Sequence, residues 1–210
     1  MSTFITLEGL DFSGKSTALS MIKNKLPSGS VLTREPGGTP TSEKIRDFLT
    51  KNSLELSGEQ KLALFFESRE SHVKELIEPN LLQNNLVISD RYIGSTFAYQ
   101  VGGDGLPFDL VKRRTDELFN KYPLSKPDLT IYFQIPDDIR KKRFTLRSSD
   151  ALDGYDSKFY ERVEKAYLDG IRASSNKLII LDANDTQENV ANKLLEIINN
   201  FVRSQSNGSN

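Results

Sequence analysis

The sequence predicts an α/β domain in which helices flank a parallel sheet, and three observations support this fold class. Five apolar runs are continuous rather than alternating, which is typical of strands buried on both faces of a parallel sheet. They lie at residues 4–7, 31–32, 86–88, 129–135 and 178–181. Stretches with helical periodicity separate them, with apolar faces at residues 18–26, 62–77 and 190–201. A glycine-rich loop follows the first run, and the alternation as a whole predicts a doubly wound arrangement.

Length and composition limit the function classes that remain open. The 210 residues suit one domain, predicted to span residues 1–203 with a lid at about 143–158 and a frayed tail at 204–210. A formal net charge of −1 indicates no basic surface for nucleic acid or membranes. The absence of cysteine excludes disulfide frameworks and thiolate metal sites. Without a basic leader, or an apolar run near the roughly 18 residues of a membrane span, we expect a cytoplasmic protein.

The glycine-rich loop follows the pattern G-x-x-x-x-G-K-[ST], which predicts a phosphate-binding loop, or P-loop. The residues expected to contact ATP here are Gly9, Leu10, Asp11, Phe12, Ser13, Gly14, Lys15, Ser16 and Thr17. Glycines allow several N–H groups to point into one hollow, and the next helix adds the positive end of its dipole. We expect Lys15 to reach the β- and γ-phosphates and Ser16 to ligate Mg²⁺. A chance match is the alternative, which the position between a strand and a helix disfavours.

The rest of the sequence favours a small-molecule kinase among nucleotide-binding proteins. A regulatory GTPase needs the guanine-reading pattern N-K-x-D, and the Asn-Lys pairs that begin at residues 24, 176 and 192 lack the aspartate. Arginines on loops suit a kinase, which must neutralise two phosphate-bearing substrates in one cleft. The single histidine, His72, is expected to be a surface or structural residue, because phosphoryl transfer needs little proton handling.

Five blocks of sequence resemble, in order, the signature blocks of the thymidylate kinase family. The blocks are EGLDFSGKST, TREPGGTP, LFFESRESHV, DRYIGSTFAYQ and KPDLTIYFQIP, and the resemblance covers nearly the whole chain. It implies that ATP phosphorylates dTMP to dTDP with Mg²⁺. It also implies a homodimer of the P-loop nucleoside-monophosphate-kinase fold, with a five-stranded parallel sheet. The dimer surface is expected on the apolar helix faces around residues 62–77.

The resemblance assigns several residues to the phosphate groups. Asp90 closes the third strand, where an acid beside a P-loop holds Mg²⁺; a helix N-cap or a structural ion pair is the alternative. Arg91 and Arg34 match family arginines that hold the dTMP phosphate from two sides. Residues 35–38 then form a turn that presents Arg34, or only a turn. Asp11 matches a carboxylate that bonds the dTMP 3′-hydroxyl and orders an arginine, with an Asx turn as the alternative.

The base site is expected on two helices. Phe65 and Arg69 lie four positions apart and share a helix face, so Phe65 could stack on a pyrimidine while Arg69 donates to its O4 carbonyl. Cytosine carries an amino donor at that position and would be repelled. Periodicity alone would instead place Phe65 in the core. The resemblance adds Thr96 and Gln100 at the thymine edge, and Tyr99 as the ring under the sugar that disfavours a 2′-hydroxyl.

The charge of the transition state requires one more cation, which family members supply from the P-loop or from the lid. The P-loop of this chain has no arginine, so the candidates are Arg143, Arg147 and Lys158 in the lid. Arg143 matches an arginine that packs near the adenine, and Arg147 is assigned to the reactive phosphates. The lid departs from the family pattern, because Gly154 stands where an arginine is common. The catalytic residues predicted in all are Lys15, Asp11, Arg91 and Arg147.

Two alternatives remain open at the level of sequence. One is another nucleotide kinase of this fold, acting on dUMP, dGMP or a deoxynucleoside, which the residues assigned to the base disfavour. The other is a paralogue that binds nucleotides without turnover, which the unusual lid keeps open. A purely structural protein would leave the whole set of phosphate-handling residues unexplained.

Overall fold

The computed structural model describes residues 2–147 and 157–207, and at its centre is a sheet of five parallel strands. The strands are β1 (Thr3–Glu8), β2 (Val31–Arg34), β3 (Leu86–Asp90), β4 (Leu129–Gln134) and β5 (Leu178–Asp182). Their order across the sheet is β2-β3-β1-β4-β5, and every neighbouring pair is parallel. Each strand coincides with one of the five apolar runs, of which the fourth extends one residue past β4, so the predicted fold class is confirmed.

Helices cover both faces of the sheet. They are α1 (Lys15–Ile22), α2 (Pro40–Asn52), α3 (Gly58–His72), α4 (Glu78–Leu82), α5 (Ile93–Thr96), α6 (Phe108–Lys121), α7 (Asp137–Arg147), α8 (Ser157–Ser174) and α9 (Gln187–Asn207). Short 3₁₀ turns lie at Lys23–Lys25 and Pro123–Ser125. Two π-helical segments, Val73–Ile77 and Phe97–Gly103, continue α3 and α5. Wide turns of this kind are frequent at functional sites.

Side chains of the central strand alternate between two layers of helices. Ile5 and Leu7 pack in a cluster with apolar residues of α1 and α9, whereas Phe4 packs in a cluster with residues of α3 and α6. All six residues of β1 are buried, because both of its faces are covered. This two-sided burial explains why the run is apolar without alternation.

The apolar helix faces around residues 62–77, where the sequence predicts the dimer surface, cover the core of the chain itself at four positions. Leu62, Phe66, Val73 and Ile77 are at most 8% exposed and belong to one core cluster of the chain itself. An amphipathic helix has the same periodicity whether its apolar face covers its own core or another chain, so the position of the dimer surface stays a prediction.

The C-terminal helix is longer than the sequence predicts. The frayed tail was expected from residue 204, but α9 continues to Asn207, so that boundary is too early. Residues 208–210 lie outside the described part of the chain. Among the described helices, none combines the length and the apolar character needed to cross a membrane.

The predicted site residues lie on loops at one edge of the sheet. Because all strands are parallel, their carboxyl ends meet there: the P-loop follows β1, Arg34 ends β2, and Asp90 ends β3 just before Arg91. The strand order reverses at β1, since the chain continues to β2 on one side and later to β4 on the other. Ligands of doubly wound sheets bind at this edge, at the point of reversal.

Candidate active site

The P-loop has a backbone conformation that depends on glycine at two positions. Gly9 has a φ of +143°, and a Cβ there would lie 2.7 Å from the carbonyl oxygen of Phe133 on β4. Gly14 has a φ of +97° directly before α1. Phe12, between them, also has a positive φ, of 65°. The loop therefore curls into the N-terminal end of α1, where the helix dipole favours an anion.

Lys15 folds back over the P-loop and is only 5% exposed. Its Nζ donates to the carbonyl oxygens of Gly9 at 2.8 Å and Leu10 at 3.0 Å, and to Ser13 Oγ at 3.1 Å. Burial, and next to it the charge of Arg91, lower the pKa of Lys15 to about 7. An anion in the loop would favour the charged form of this amine.

Ser16 and Asp90 form the hydroxyl–carboxylate pair that the sequence predicts for Mg²⁺. Ser16 Oγ donates to Asp90 Oδ2 at 2.5 Å. The other oxygen, Oδ1, is buried and has no hydrogen-bond partner within the described residues. Asp90 is not a helix N-cap, since α5 begins only at Ile93. A hydroxyl and an uncommitted carboxylate oxygen fit Mg²⁺, which takes oxygen ligands and keeps several waters, so both residues suit this cation.

Arg91 joins the end of β3 to the P-loop. Its Nη2 donates to Asp11 Oδ1 at 2.5 Å, and its Nη1 donates to Tyr167 Oη at 2.8 Å, Ser95 Oγ at 3.1 Å and the carbonyl oxygen of Gly9 at 3.2 Å. Arg91 also has a positive φ of 72°, which is uncommon for a side chain of this size. Asp11 therefore binds an arginine, as the resemblance implies, and the side chain of Arg91 is held at several points.

Arg34 lies across from Arg91, at the end of β2, in a different environment. Its Nη2 donates to both carboxylate oxygens of Glu43, at 3.1 and 3.0 Å, and its side chain is 55% exposed. Arg46 on α2 donates to the carbonyl oxygen of Pro36 at 2.8 Å. These cations border a cavity of about 250 Å³, here named the Lys15 cavity. It is lined by Asp11, Phe12, Gly14, Lys15, Ser16, Thr17, Arg34, Glu35, Arg46, Asp90 and Arg91.

Arg69 borders a second cavity, of about 190 Å³, here named the Arg69 cavity. Its lining comprises Asp11, Glu35, Pro36, Phe65, Arg69, Arg91, Tyr92, Ser95, Thr96, Tyr99 and Gln100. This lining includes all six side chains that the sequence assigns to the nucleoside of dTMP. They are Asp11, Phe65, Arg69, Thr96, Tyr99 and Gln100. Phe65 lines the cavity and its neighbour Phe66 packs in the core, so the core position that periodicity alone gives Phe65 is wrong.

The segment after β3 supplies the far wall of the Arg69 cavity. Thr96 Oγ1 accepts from Arg69 Nη2 at 3.0 Å, and Gln100 Nε2 donates to Asp104 Oδ2 at 3.2 Å. Tyr99 Oη donates to Asp11 Oδ2 at 3.2 Å. Thr96 ends α5, and Tyr99 and Gln100 lie in the π-helical segment that follows. This wall therefore carries polar side chains that face a pocket lined mainly by apolar atoms, as ligand sites typically do.

A third cavity, of about 310 Å³, lies on the other side of the P-loop and is here named the Arg143 cavity. Its lining comprises Phe12, Ser13, Gly14, Thr17, Ala18, Arg143, Asp185, Thr186, Gln187 and Val190. Arg143 donates to the carbonyl oxygens of Phe12, Ser13 and Ala183 at 3.4, 3.3 and 2.8 Å. Arg143 thus holds α7 against the P-loop at the cavity wall.

Comparison with known proteins places the chain in a family. A family model described as thymidylate kinase matches residues 7–194. The chain belongs to the thymidylate kinase family. A thymidylate kinase of Chromobacterium violaceum is 39% identical, over 86% of this chain and 85% of the relative, and that of Methylobacillus flagellatus is 35% identical, over 94% and 97%. The crystal structure of thymidylate kinase from Ehrlichia chaffeensis matches with a TM-score of 0.69 at 30% identity, over 94% of this chain and 98% of that one.

The segment predicted to be the lid of this thymidylate kinase family member, at about residues 143–158, is described only in part. Residues 148–156, with Gly154 among them, lie outside the described residues, as does the side chain of Arg147. Lys158 is exposed near the start of α8. Phe144 on α7 contacts Phe12 edge to face, with 5.1 Å between the ring centroids. The assignment of Arg147 to the reactive phosphates therefore stays a prediction.

Three residues that sequence reasoning missed support Arg91. The carboxylate of Glu8 is buried and accepts from the backbone N–H groups of Tyr92 at 2.8 Å and Ser95 at 3.1 Å, and from Ser95 Oγ at 2.7 Å. Burial raises the pKa of Glu8, although these hydrogen bonds and Arg91 oppose the shift. Ser95 Oγ and Tyr167 Oη are 2.6 Å apart. Only Glu8 carried a signal in the sequence, as an acid ending a buried strand next to the P-loop.

Proposed function

We propose that this protein transfers the γ-phosphoryl group of ATP to dTMP, which yields ADP and dTDP. The observation that carries the proposal is that three cavities form a row with shared walls. Phe12 and Thr17 line both the Arg143 and Lys15 cavities, while Asp11 and Arg91 line both the Lys15 and Arg69 cavities. Such a row suits a donor nucleoside, the phosphates of both substrates and an acceptor nucleoside, in this order. The names of the relatives support the same activity.

We assign the donor nucleotide to the Arg143 cavity and the P-loop. The adenosine would lie in the cavity beside Arg143, and the triphosphate would follow the loop residues 9–17. In the structure Lys15 Nζ is satisfied by carbonyl and hydroxyl oxygens of the loop. Phosphate oxygens are stronger, charged acceptors, so they can take over this amine when ATP binds.

We assign the phosphate of dTMP to the Lys15 cavity, between Arg34 and Arg91. Exposed ion pairs contribute little stability, so Arg34 can exchange Glu43 for a phosphate at little cost. Arg91 is already positioned by Asp11 and by Tyr167. Because phosphoryl transfer depends on alignment and charge neutralisation more than on proton transfer, arginines at fixed positions are the main requirement. Arg46, which the sequence did not suggest, adds a further cation to this cavity.

We assign the thymidine moiety to the Arg69 cavity. Phe65 would stack on the base, while Arg69, Thr96 and Gln100 would bond its polar edge. Arg69 Nη1 supports this role, because it is buried and has no hydrogen-bond partner among the described residues. A carbonyl oxygen at C4 of the base would satisfy it, whereas an amino group would not. Tyr99 and Asp11 lie together at the wall nearest the phosphates and suit the sugar.

Mg²⁺ is the cofactor that we propose, held by Ser16 and Asp90. When bound, it would neutralise charge on the β- and γ-phosphate oxygens. The family resemblance further supports a homodimer in the cytoplasm, and a single domain at residues 1–203 whose lid spans about 143–158. A kinase for another nucleotide is disfavoured by the residues that line the Arg69 cavity, and a paralogue without turnover is disfavoured by the names of the relatives.

The test is an ADP-release assay with dTMP, dUMP, dCMP and dGMP as acceptors. We expect turnover with dTMP far above the others, because only thymine offers both the C4 carbonyl and a methyl group for the pocket. Equal rates with dCMP would contradict the base assignment. Absence of turnover with every acceptor, despite tight ATP binding, would favour a protein that binds nucleotides without catalysis.

Two lysine variants complete this test. Lys15→Ala should abolish turnover, because it removes the cation in the P-loop. Its thermal unfolding midpoint should stay close to that of the unaltered protein, which would show that the fold is kept. Lys25→Ala is the matched control, since Lys25 is exposed just after α1 and lines none of the three cavities. Activity retained by Lys15→Ala would show that the loop does not handle phosphate.

A further inference from the structure

A buried chain of hydrogen bonds lies behind Arg69 and links it to β2. Thr33 Oγ1 and His72 Nε2 are 2.7 Å apart, and His72 Nδ1 lies 2.9 Å from Glu35 Oε1. The second carboxylate oxygen of Glu35 accepts from Arg69 Nε at 2.8 Å. His72 is 0% exposed, Arg69 2% and Glu35 5%. His72, which the sequence suggested to be a surface or structural residue, is thus connected to the wall of the base site.

The partners of His72 define which ring nitrogen carries the proton. An ionised carboxylate is an acceptor only, so Nδ1 must donate to Glu35. In the neutral ring, Nε2 then accepts from the hydroxyl of Thr33. Gly38 lies against this contact, because a Cβ there would be 2.5 Å from Thr33 Oγ1 and 2.7 Å from His72 Nε2. The second glycine of the REPGGT block therefore leaves room for the hydrogen bond.

The same chain determines which nitrogen of Arg69 remains available to a ligand. Nε is bound to Glu35, and Nη2 lies 2.7 Å from Glu35 Oε2. Nη2 also donates to the carbonyl oxygen of Tyr92 at 3.2 Å and to Thr96 Oγ1 at 3.0 Å. Nη1 is the nitrogen left without a partner within residues 2–147 and 157–207. A planar guanidinium held along one edge in this way can rotate little, so Nη1 keeps one orientation.

We propose that His72 and Glu35 are positioning residues for base selection. His72 orients the carboxylate of Glu35, and Glu35 orients Arg69, so that Nη1 meets the C4 substituent of the pyrimidine with two N–H donors. A carbonyl at C4 accepts from them, and an amino group at C4 is rejected. The inference deepens the proposed function and rests on it, since it presumes a pyrimidine in the Arg69 cavity.

The experiment compares dTMP with 5-methyl-dCMP, which carries the same methyl group but has an amino group at C4. The measured quantity is the ratio of the two kcat/KM values in one preparation, which does not depend on the fraction of folded enzyme. We expect the unaltered protein to prefer dTMP by about a hundredfold or more, because buried donors would be left unpaired by the analogue. Arg69→Met should remove most of this preference.

The substitutions at His72 separate positioning from a general structural role. Asparagine places its amide nitrogen where His72 carries Nδ1, whereas glutamine places it near Nε2. His72→Asn should therefore keep the ratio within about threefold, and His72→Gln should lower it about tenfold or more, as expected when a hydrogen bond to a charged group is lost. KM for dTMP should rise in His72→Gln while KM for ATP stays constant.

Further variants keep the inference open to refutation. Ser42→Ala removes a buried 2.7 Å hydrogen bond from α2 to the backbone of α3 without touching Glu35, and should leave the ratio unchanged. Should His72→Gln not fold, Glu35→Gln leaves only one acceptor oxygen for the two donors of His72 and Arg69 and should lower the ratio on its own. A wild-type ratio in folded His72→Gln, or in Glu35→Gln if only that variant folds, would overturn the inference. A ratio near one in the unaltered protein would instead overturn the base assignment of the proposed function.

A spectroscopic test does not depend on activity. Because His72 is the only histidine of the chain, the imidazole ¹⁵N signals need no assignment. We expect a proton on Nδ1, and a shift of that signal in Glu35→Gln. A neutral ring with its proton on Nε2 alone would contradict the hydrogen bond to Glu35 and with it the inference.

Discussion

The guanidinium of Arg91 donates to the carboxylate of Asp11 at 2.5 Å, across 80 positions of sequence. The contact joins the end of β3 to the P-loop, at the wall that the Lys15 and Arg69 cavities share. Burial by itself would raise the pKa of Asp11. The positive charges of Arg91 and Lys15 together have the larger effect, so the pKa of this carboxyl group is lowered. Asp11 is therefore ionised at neutral pH beside a site that we assign to phosphates, and its partner Arg91 compensates the charge.

Replacing Asp11 by asparagine tests this compensation. Asp11→Asn keeps the shape of the side chain but removes the charge that orients Arg91, so we expect KM for dTMP to rise about tenfold. KM for ATP should change less, because the P-loop backbone is kept. Steady-state kinetics with one substrate varied at a time give both values. Asp116→Asn, which removes a half-exposed ion pair with Lys112 on α6, is the control and should change neither.

The pKa of Lys15 predicts a proton that is taken up with ATP. Burial and then Arg91 lower this pKa to about 7, so the amine is mostly neutral above that value in the free protein. A bound triphosphate favours the charged form and raises the pKa. At about pH 8.5, ATP binding should therefore take up a proton, and below about pH 6 this uptake should vanish because Lys15 is already charged.

Calorimetric titration of ATP in buffers with different ionisation enthalpies measures this uptake. Lys15→Arg is the matched variant, because arginine is charged at every pH of the experiment and has no proton to gain. Uptake by Lys15→Arg equal to that of the unaltered protein would assign the proton to another group, and the low pKa of Lys15 would be refuted.

The sheet could be predicted because its strands are covered on both faces. Burial of β1, β3 and β4 leaves continuous apolar runs, a signal that survives without any knowledge of pairing. Glycine spacing likewise located the P-loop, since its backbone needs positive φ at Gly9 and Gly14. These are local constraints, and local constraints are visible in a single sequence.

The details of the base site could not be predicted from local patterns. Periodicity does not distinguish Phe65 from Phe66, because α3 packs one face on the core and turns the adjacent face to the Arg69 cavity. The contacts of Glu35 with Arg69 and His72 span 34 and 37 positions of sequence. The residue pattern of a single helix cannot predict contacts over such separations. Residues of this kind are recognisable only when the folded chain brings them together.

The prediction that Arg147 supplies a catalytic cation is tested by Arg147→Ala. No arginine lies in the P-loop, so a cation for the transition state must come from elsewhere, and we expect kcat to fall about 10³-fold when Arg147 is removed. Both KM values should stay close to wild type if the charge acts only in the transition state. Lys158→Ala and Arg143→Ala are the comparison variants. A large kcat effect in either of them, with a small one in Arg147→Ala, would move the role to that residue.

Substitution by alanine should destabilise the fold much more at Gly38 than at Gly105, although both glycines have a positive φ. Gly38 and Gly105 have φ values of +89° and +77°, so alanine is strained at both. A Cβ on Gly38 would also press on Thr33 and His72, whereas a Cβ on Gly105 meets nothing within 4 Å. Gly38→Ala should lower the free energy of unfolding by about 3 kcal/mol and Gly105→Ala by about 1 kcal/mol, as urea denaturation can measure. Equal losses would mean that the space beside His72 is not tight.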